Sequence, residues 1–218
     1  MRSLLLALAL LLAAPAAHAC SVAPGYRVPT TLELVEQADL VVVAQAWAAP
    51  PSDGGEREVE FWSLVSLKGS RSDGQPILVR GPGTLATHAQ PATSSDPTEL
   101  VRANPEAYVG GCTRFTFYPK KWVVLFLKRE GDGYRVISYP FARTAEDTAL
   151  PDSRWLKAVR EYIAIAALPH AARRARMAVR RDLLKARGDA DSLAIAADIA
   201  RELAGPRKPL REPLPPIK

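Results

Sequence analysis

The chain has 218 residues, 48% of them hydrophobic, and its 29 basic and 23 acidic side chains give a formal net charge of +6. This length and apolar content suit one folded domain with an appendage, or two small domains, because either can bury a core. No stretch reaches the roughly 20 consecutive apolar residues that a membrane-spanning helix needs, so a helical integral membrane protein is not expected.

The first nineteen residues are predicted to be a secretory signal peptide. Arg2 supplies the positive charge, residues 4–12 form the apolar run, and the Ala-His-Ala at residues 17–19 fits the small-residue cleavage rule. We therefore expect an exported protein, periplasmic or secreted, whose mature chain begins at Cys20.

Three roles are open to Cys20. A disulfide with Cys112 is the simplest use for two cysteines in an exported protein, and it would close a loop of roughly 90 residues. Acylation would make the protein a lipoprotein, but His18 does not fit the motif that this requires. A zinc site needs three or four ligands, and the mature chain adds only His88 and His170, in unlike contexts.

The first two thirds of the chain predict five strands and one long loop. Thr30 and Glu33 have the spacing of a capping box, which predicts a short helix through residue 37. Apolar runs, alternation and a glycine-containing hairpin turn identify the strands. They cover residues 40–47, 57–67, 76–80, 122–128 and 134–139. The loop spans residues 81–111, with a short helix near 97–102, and the strand succession predicts a small closed antiparallel barrel.

After residue 151 the strand-forming residues give way to alanine, arginine and leucine, which predicts a two- to three-helix segment. Its helices cover residues 154–167, 169–187 and 191–203. Gly188 and Gly205 supply the stop signals, and the proline-rich end predicts a disordered, basic tail. The predicted organisation is a signal peptide, a barrel domain, a helical segment and a tail, at residues 1–19, 20–150, 151–205 and 206–218.

Several short motifs resemble, in their order and spacing, the netrin-like modules and in particular the tissue inhibitors of metalloproteinases (TIMP-like proteins). They are "CSVAP" at Cys20, "ADLVVVAQAW" about twenty residues later, "LVSLKG", and "CTRF" before "WVVLFL". The likeness covers roughly residues 20–140 and leaves out the helices and the tail. It implies a mainly β fold with C-terminal helices, built on a five-stranded OB-like barrel, and a disulfide between Cys20 and Cys112.

The resemblance also implies a site. In inhibitors of this family the terminal amine and carbonyl of the first cysteine chelate the protease's zinc, and the second side chain enters the specificity pocket. The matching residues are Cys20 and Ser21, and a neutral α-amine is a good zinc ligand once it has lost its proton. The family's third residue is a second cysteine, whereas this chain has Val22, and the family's further disulfides are absent.

The second predicted helix carries a basic face and an apolar face. The basic surface patch consists of Arg173, Arg176, Arg180 and Arg187. The opposite stripe consists of Ala172, Ala175, Val179 and Leu183. Either the stripe packs inside and the arginines are simply solvated, or the helix binds an anionic membrane surface. The alanine-rich stripe favours packing, and nucleic acid is not an expected partner for an exported protein.

No enzymatic activity is predicted, since no phosphate loop, dinucleotide fingerprint or metal-ligand cluster appears. The sequence predicts no catalytic residue, no cofactor and no metal of its own. The predicted function is an exported non-enzymatic protein-binding module, for which the resemblance implies metalloprotease inhibition. Its partner would be a zinc metalloprotease or another envelope protein. The alternative is an envelope-associated structural or adaptor (lipo)protein with no protease target.

Overall fold

The computed structural model describes residues 21–49, 57–71, 76–81, 83–86 and 93–211. The predicted leader and Cys20 lie outside the described residues, as do His88 and residues 212–218 of the predicted tail.

The described residues form eight strands, four α-helices and one 3-10 helix. The strands are β1 (Leu40–Ala48), β2 (Glu58–Lys68), β3 (Pro76–Arg80), β4 (Thr84–Leu85), β5 (Thr116–Phe117), β6 (Trp122–Glu130), β7 (Gly133–Val136) and β8 (Ala145–Asp147). The helices are α1 (Thr31–Gln37), the 3-10 helix (Pro105–Tyr108), α2 (Arg154–Ala166), α3 (His170–Arg187) and α4 (Ala190–Leu203). The five predicted strands and four of the five predicted helices are confirmed, with bounds that differ by a few residues.

Five of the strands close a barrel. Their order is β1-β2-β3-β7-β6, and β6 pairs back onto β1. The closing pair is antiparallel, whereas β3 and β7 pair in parallel, with Val79 opposite Tyr134. The predicted antiparallel barrel is therefore wrong in this detail. A closed ring with an odd number of strands must contain at least one parallel pair, so five strands can close only as a mixed barrel.

The short elements differ most from the sequence prediction. The strands β4, β5 and β8 are two or three residues long, too short to leave an apolar periodicity. No helix lies at residues 97–102; the 3-10 helix begins at Pro105 instead. Asn104 starts it, because its side chain accepts a hydrogen bond from the Glu106 N–H and proline is favoured at a first helical position.

The barrel and the helices share buried surface. One face of β1 and β6, with Val42 and Leu125, points into the barrel. The other face, with Val43 and Phe126, packs against a cluster that includes Trp155 of α2. Strands buried on both faces read as continuous apolar runs, which explains the "LVVVA" of β1. The helical segment thus covers one outer wall of the barrel and completes a common core.

Both ends of α1 are satisfied by side chains. The hydroxyl of Thr30 accepts the Glu33 N–H at 3.3 Å, and Glu33 Oε2 accepts the Thr30 N–H at 2.8 Å, which confirms the predicted capping box. At the other end, Lys68 Nζ donates to the carbonyls of Val35 and Ala38, both at 2.6 Å. A cation on the last carbonyls of a helix is favourable, and here it ties α1 to β2.

Candidate interaction surface beside Ser21

The segment that follows Cys20 is fixed to the body of the protein by hydrogen bonds. The Gly25 N–H donates to the Arg211 carbonyl, and the Leu210 N–H donates to the Tyr26 carbonyl, both at 2.9 Å. The Tyr26 hydroxyl donates to the Pro140 carbonyl at 2.7 Å. Burial, with a smaller contribution from Tyr139, raises the pKa of Tyr26 to about 12, so the hydroxyl remains a donor over the physiological pH range.

Part of the predicted tail takes part in these bonds. Residues 206–218 are predicted to be disordered; residues 210 and 211 hydrogen-bond to the amino-terminal segment, and residues 212–218 lie outside the described residues. The backbone of this proline-rich segment hydrogen-bonds to residues 25 and 26, which are far from it in the sequence. The sequence of neither segment alone predicts this pairing.

A turn presents the first residues of the described chain to solvent. The Tyr26 N–H donates to the Ala23 carbonyl at 3.0 Å, and Gly25 has a φ of 79°, a conformation that glycine adopts without a steric penalty. Ser21 is exposed and Val22 is half-buried. The predicted protease-contacting residue Ser21 is therefore accessible to a partner.

A second anchor links this segment to the start of α1. Arg27 donates to both carboxylate oxygens of Glu33, at 2.8 and 2.6 Å. The hydrogen bond with Arg27 is the largest of the effects that hold the pKa of Glu33 below its usual value. The same carboxylate completes the capping box, so it joins the amino-terminal segment to the helix.

We expect Glu33→Gln to reduce the free energy of unfolding by about 1 kcal/mol near neutral pH. Because the folded-state pKa of Glu33 is lowered, the stability from its charge is present above the ordinary carboxyl pKa and is lost as the pH falls through the folded value. Urea unfolding of both proteins should therefore give a difference that shrinks in acid. Glu60→Gln is the control, since Glu60 makes no ion pair with any described residue. A difference that is independent of pH would contradict this assignment.

An apolar groove of about 660 Å³ lies beside Ser21 and Val22. The rings of Tyr108 and Phe141 stack at one wall, with centroids 5.3 Å apart. The apolar lining consists of Val28, Val101, Tyr108, Phe141 and Leu210. Four separate parts of the chain thus build one concave surface beside Ser21 and Val22.

Cys112 lies close to this groove. The Phe141 N–H donates to the Cys112 carbonyl at 2.6 Å, and both residues have a positive φ, 60° and 58°. Residues other than glycine seldom adopt this conformation unless the surrounding structure holds them in it. No free cysteine occurs among the described residues. Because Cys20 lies outside them, its pairing with Cys112 stays a prediction.

Buried polar groups hold the long loop under the groove. Arg114 Nη2 forms an ion pair with Asp147 Oδ1 at 3.0 Å, and both side chains are almost fully buried. Asp147 Oδ2 accepts the Ser95 N–H at 2.7 Å, and Glu146 Oε1 accepts the N–H of Asn104 at 3.1 Å. No local sequence pattern predicts this network, because Arg114 and Asp147 are 33 residues apart.

A second buried arginine, Arg143, connects the loop to α2. Its guanidinium lies 4.3 Å from the ring centroid of Trp155, and it donates to the Arg102 carbonyl. It also lies 3.7 Å from Glu146 Oε2. Burial lowers the pKa of Arg143 and raises that of Glu146, because removal from water disfavours both charged forms. The two neighbouring charges partly offset this penalty, and the cluster joins the loop to β8 and α2.

The predicted basic patch on α3 is divided by its packing. Arg173 pairs with Glu36 of α1, and Arg180 pairs with Glu161 of α2. Arg176 and Arg187 remain exposed, without an ion pair to the described part of the chain. Two of the four arginines therefore attach α3 to its neighbours rather than forming a free surface.

The apolar stripe of α3 is also corrected. Val179 and Leu183 are 52% and 50% exposed, whereas Met177 and Leu184 are buried. The packed face is the one that carries Arg173 and Arg180, whose ionic partners lie on other helices. The alanine-rich stripe expected to pack inside faces solvent.

The described residues contain no group of three or more histidine, cysteine or acidic side chains placed to hold a metal ion. None of the helices they form is long and apolar enough to cross a bilayer.

The chain matches no protein-family model and no curated protein.

Proposed function

We propose that this chain is an exported, non-enzymatic protein-binding module of the netrin-like type that inhibits a zinc metalloprotease through its mature amino terminus. The observation that carries the proposal is the exposed Ser21, which lines an apolar groove and precedes residues that hydrogen-bond to Leu210 and Arg211. The closed five-stranded barrel supports the OB-like part of the proposal.

In the proposed mechanism Cys20 and Ser21 act together. The α-amine and carbonyl of Cys20 chelate the protease's zinc, and the Ser21 side chain enters the adjoining specificity pocket. The hydrogen bonds of Gly25 and Tyr26 fix the approach of this segment before binding. A segment that is already ordered loses less conformational entropy when it binds, which favours tight association.

The test uses the mature chain with a free Cys20 amine against a panel of zinc endoproteases. We expect inhibition of at least one of them, and we expect acetylation of the amine to abolish it, because an acetylated nitrogen is a poor zinc ligand. The matched control is the same protein acetylated on lysine side chains with its terminal amine left free. Equal inhibition by the protein with the acetylated terminus would refute the mechanism.

The intact mass of the native protein separates this proposal from the lipoprotein alternative. Acylation of Cys20 would block the amine that the inhibitor mechanism needs, so one molecule cannot do both. We expect the mass of the unmodified mature chain. A mass increased by a diacylglycerol and an acyl group would favour an envelope-associated structural or adaptor protein instead.

A further inference from the structure

We propose that the groove beside Ser21 binds a single-chain amphipathic anion: an unbranched apolar chain that ends in a carboxylate or a phosphate. The inference does not depend on protease inhibition. It joins two features of the same cavity, an apolar floor and a cationic rim.

The floor fits an aliphatic chain. The stacked rings of Tyr108 and Phe141 form one wall, and Val101 and Leu210 are 39% and 54% exposed, so apolar surface is open to a ligand. A volume of about 660 Å³ lies in the range of small-molecule sites. Burying such a chain would remove this exposed apolar surface from water, which is favourable for each methylene buried.

The rim fits an anionic head. Four basic residues line the groove: Arg102, Arg207, Lys208 and Arg211. None of them forms an ion pair with any residue that the structure describes, although Glu202 interacts electrostatically with Arg207 over a longer distance. Arg102 lies over the Tyr108 ring, 5.6 Å from its centroid, which places a guanidinium directly above the apolar wall. Cations around an apolar cavity that form no ion pair with a described carboxylate are complementary to an amphipathic anion and not to a cationic one.

The direct experiment titrates the mature protein with decanoate and follows its backbone amides by NMR. We expect saturable shifts at Val22, Val101 and Tyr108, and affinity that rises about fourfold per added methylene from hexanoate to decanoate. Decyltrimethylammonium, which has the same chain and the opposite charge, should bind far more weakly. Equal binding of the cationic probe, or no saturable shift with decanoate, would overturn the proposal.

Charge reversal on the rim supplies the second arm. The double variant Arg207→Glu with Lys208→Glu should weaken decanoate binding about tenfold. The matched control is Arg174→Glu with Arg176→Glu on the exposed surface of α3, which changes the net charge equally and should leave the affinity unchanged. Thermal unfolding of both variants checks that each is folded. An equal loss in the two variants would show that only net charge matters and would overturn the assignment of the rim.

The head group can come from a free fatty acid or from a lysophospholipid. Decanoate and a lysophosphatidate with the same acyl chain share the proposed chemistry and differ in the anion. We expect both compounds to bind. The compound with the higher affinity shows whether the groove prefers a carboxylate or a phosphate head group.

Discussion

Replacing Asp147 by asparagine is expected to lower the free energy of unfolding by about 3–5 kcal/mol, because the substitution leaves Arg114 charged and buried without its partner. The Arg114 side chain is 2% exposed and that of Asp147 9%, so water cannot replace the lost carboxylate. Urea unfolding at neutral pH measures the effect.

The control is an exposed ion pair with similar geometry. Asp152 accepts from Arg160 at 2.8 Å, but the two side chains are 55% and 46% exposed. We expect Asp152→Asn to change stability by less than about 1 kcal/mol. Equal effects at the two sites would contradict a special role for the buried pair.

The same substitution should loosen the loop locally. Asp147 also accepts the Ser95 N–H, and Ser95 Oγ accepts from the Asn104 side-chain amide at 3.1 Å. Hydrogen exchange of the Ser95 amide should therefore accelerate in Asp147→Asn more than that of Val124 in the barrel. The loop carries Val101 and Tyr108, so its loosening would also disturb the groove.

Replacing Trp155 by alanine is expected to lower the free energy of unfolding by about 3–5 kcal/mol. Trp155 has no exposed surface, its ring lies 6.2 Å from that of Phe126 on β6, and Arg143 lies over its face. The substitution leaves a cavity in the core that the barrel and α2 share. Denaturant unfolding followed by circular dichroism checks this.

The matched control is Trp47→Ala, since Trp47 is 60% exposed and its loss should change stability by about 1 kcal/mol or less. Because helices and barrel share one core, we expect a single cooperative transition in which helical and strand signals change together. A first transition limited to the helical signal would contradict the common core.

The long barrel strands were predictable because each has an apolar pattern of its own. The run at Leu40 predicted β1, and the alternation after Arg57 predicted β2. The parallel pairing of β3 with β7 depends on the spatial order of all five strands around the barrel. Nothing in either strand's sequence encodes it.

The packed face of α3 could not be read from the helix alone. Spacing favoured the stripe of Val179 and Leu183, whereas Met177 and Leu184 are the buried apolar residues, and Arg173 and Arg180 on that side pair with Glu36 and Glu161. The packed face therefore combines apolar contacts with ion pairs to other helices, and the sequence of α3 does not contain those partners.

The candidate site was predictable in one part only. The resemblance pointed to Ser21, which is exposed, and its contact with a protease stays a prediction. The groove beside it is assembled from residues near positions 22, 101, 141 and 208. The groove forms only through tertiary contacts such as the Tyr26–Pro140 hydrogen bond. The sequence of a single segment does not predict such contacts.

The pairing of Gly25 and Tyr26 with Arg211 and Leu210 brings the first and the last described segments of the chain together. Truncation of the chain before Leu210 would remove the hydrogen bonds that Gly25 and Tyr26 make with Arg211 and Leu210. Proteolysis there would therefore alter binding at the surface beside Ser21.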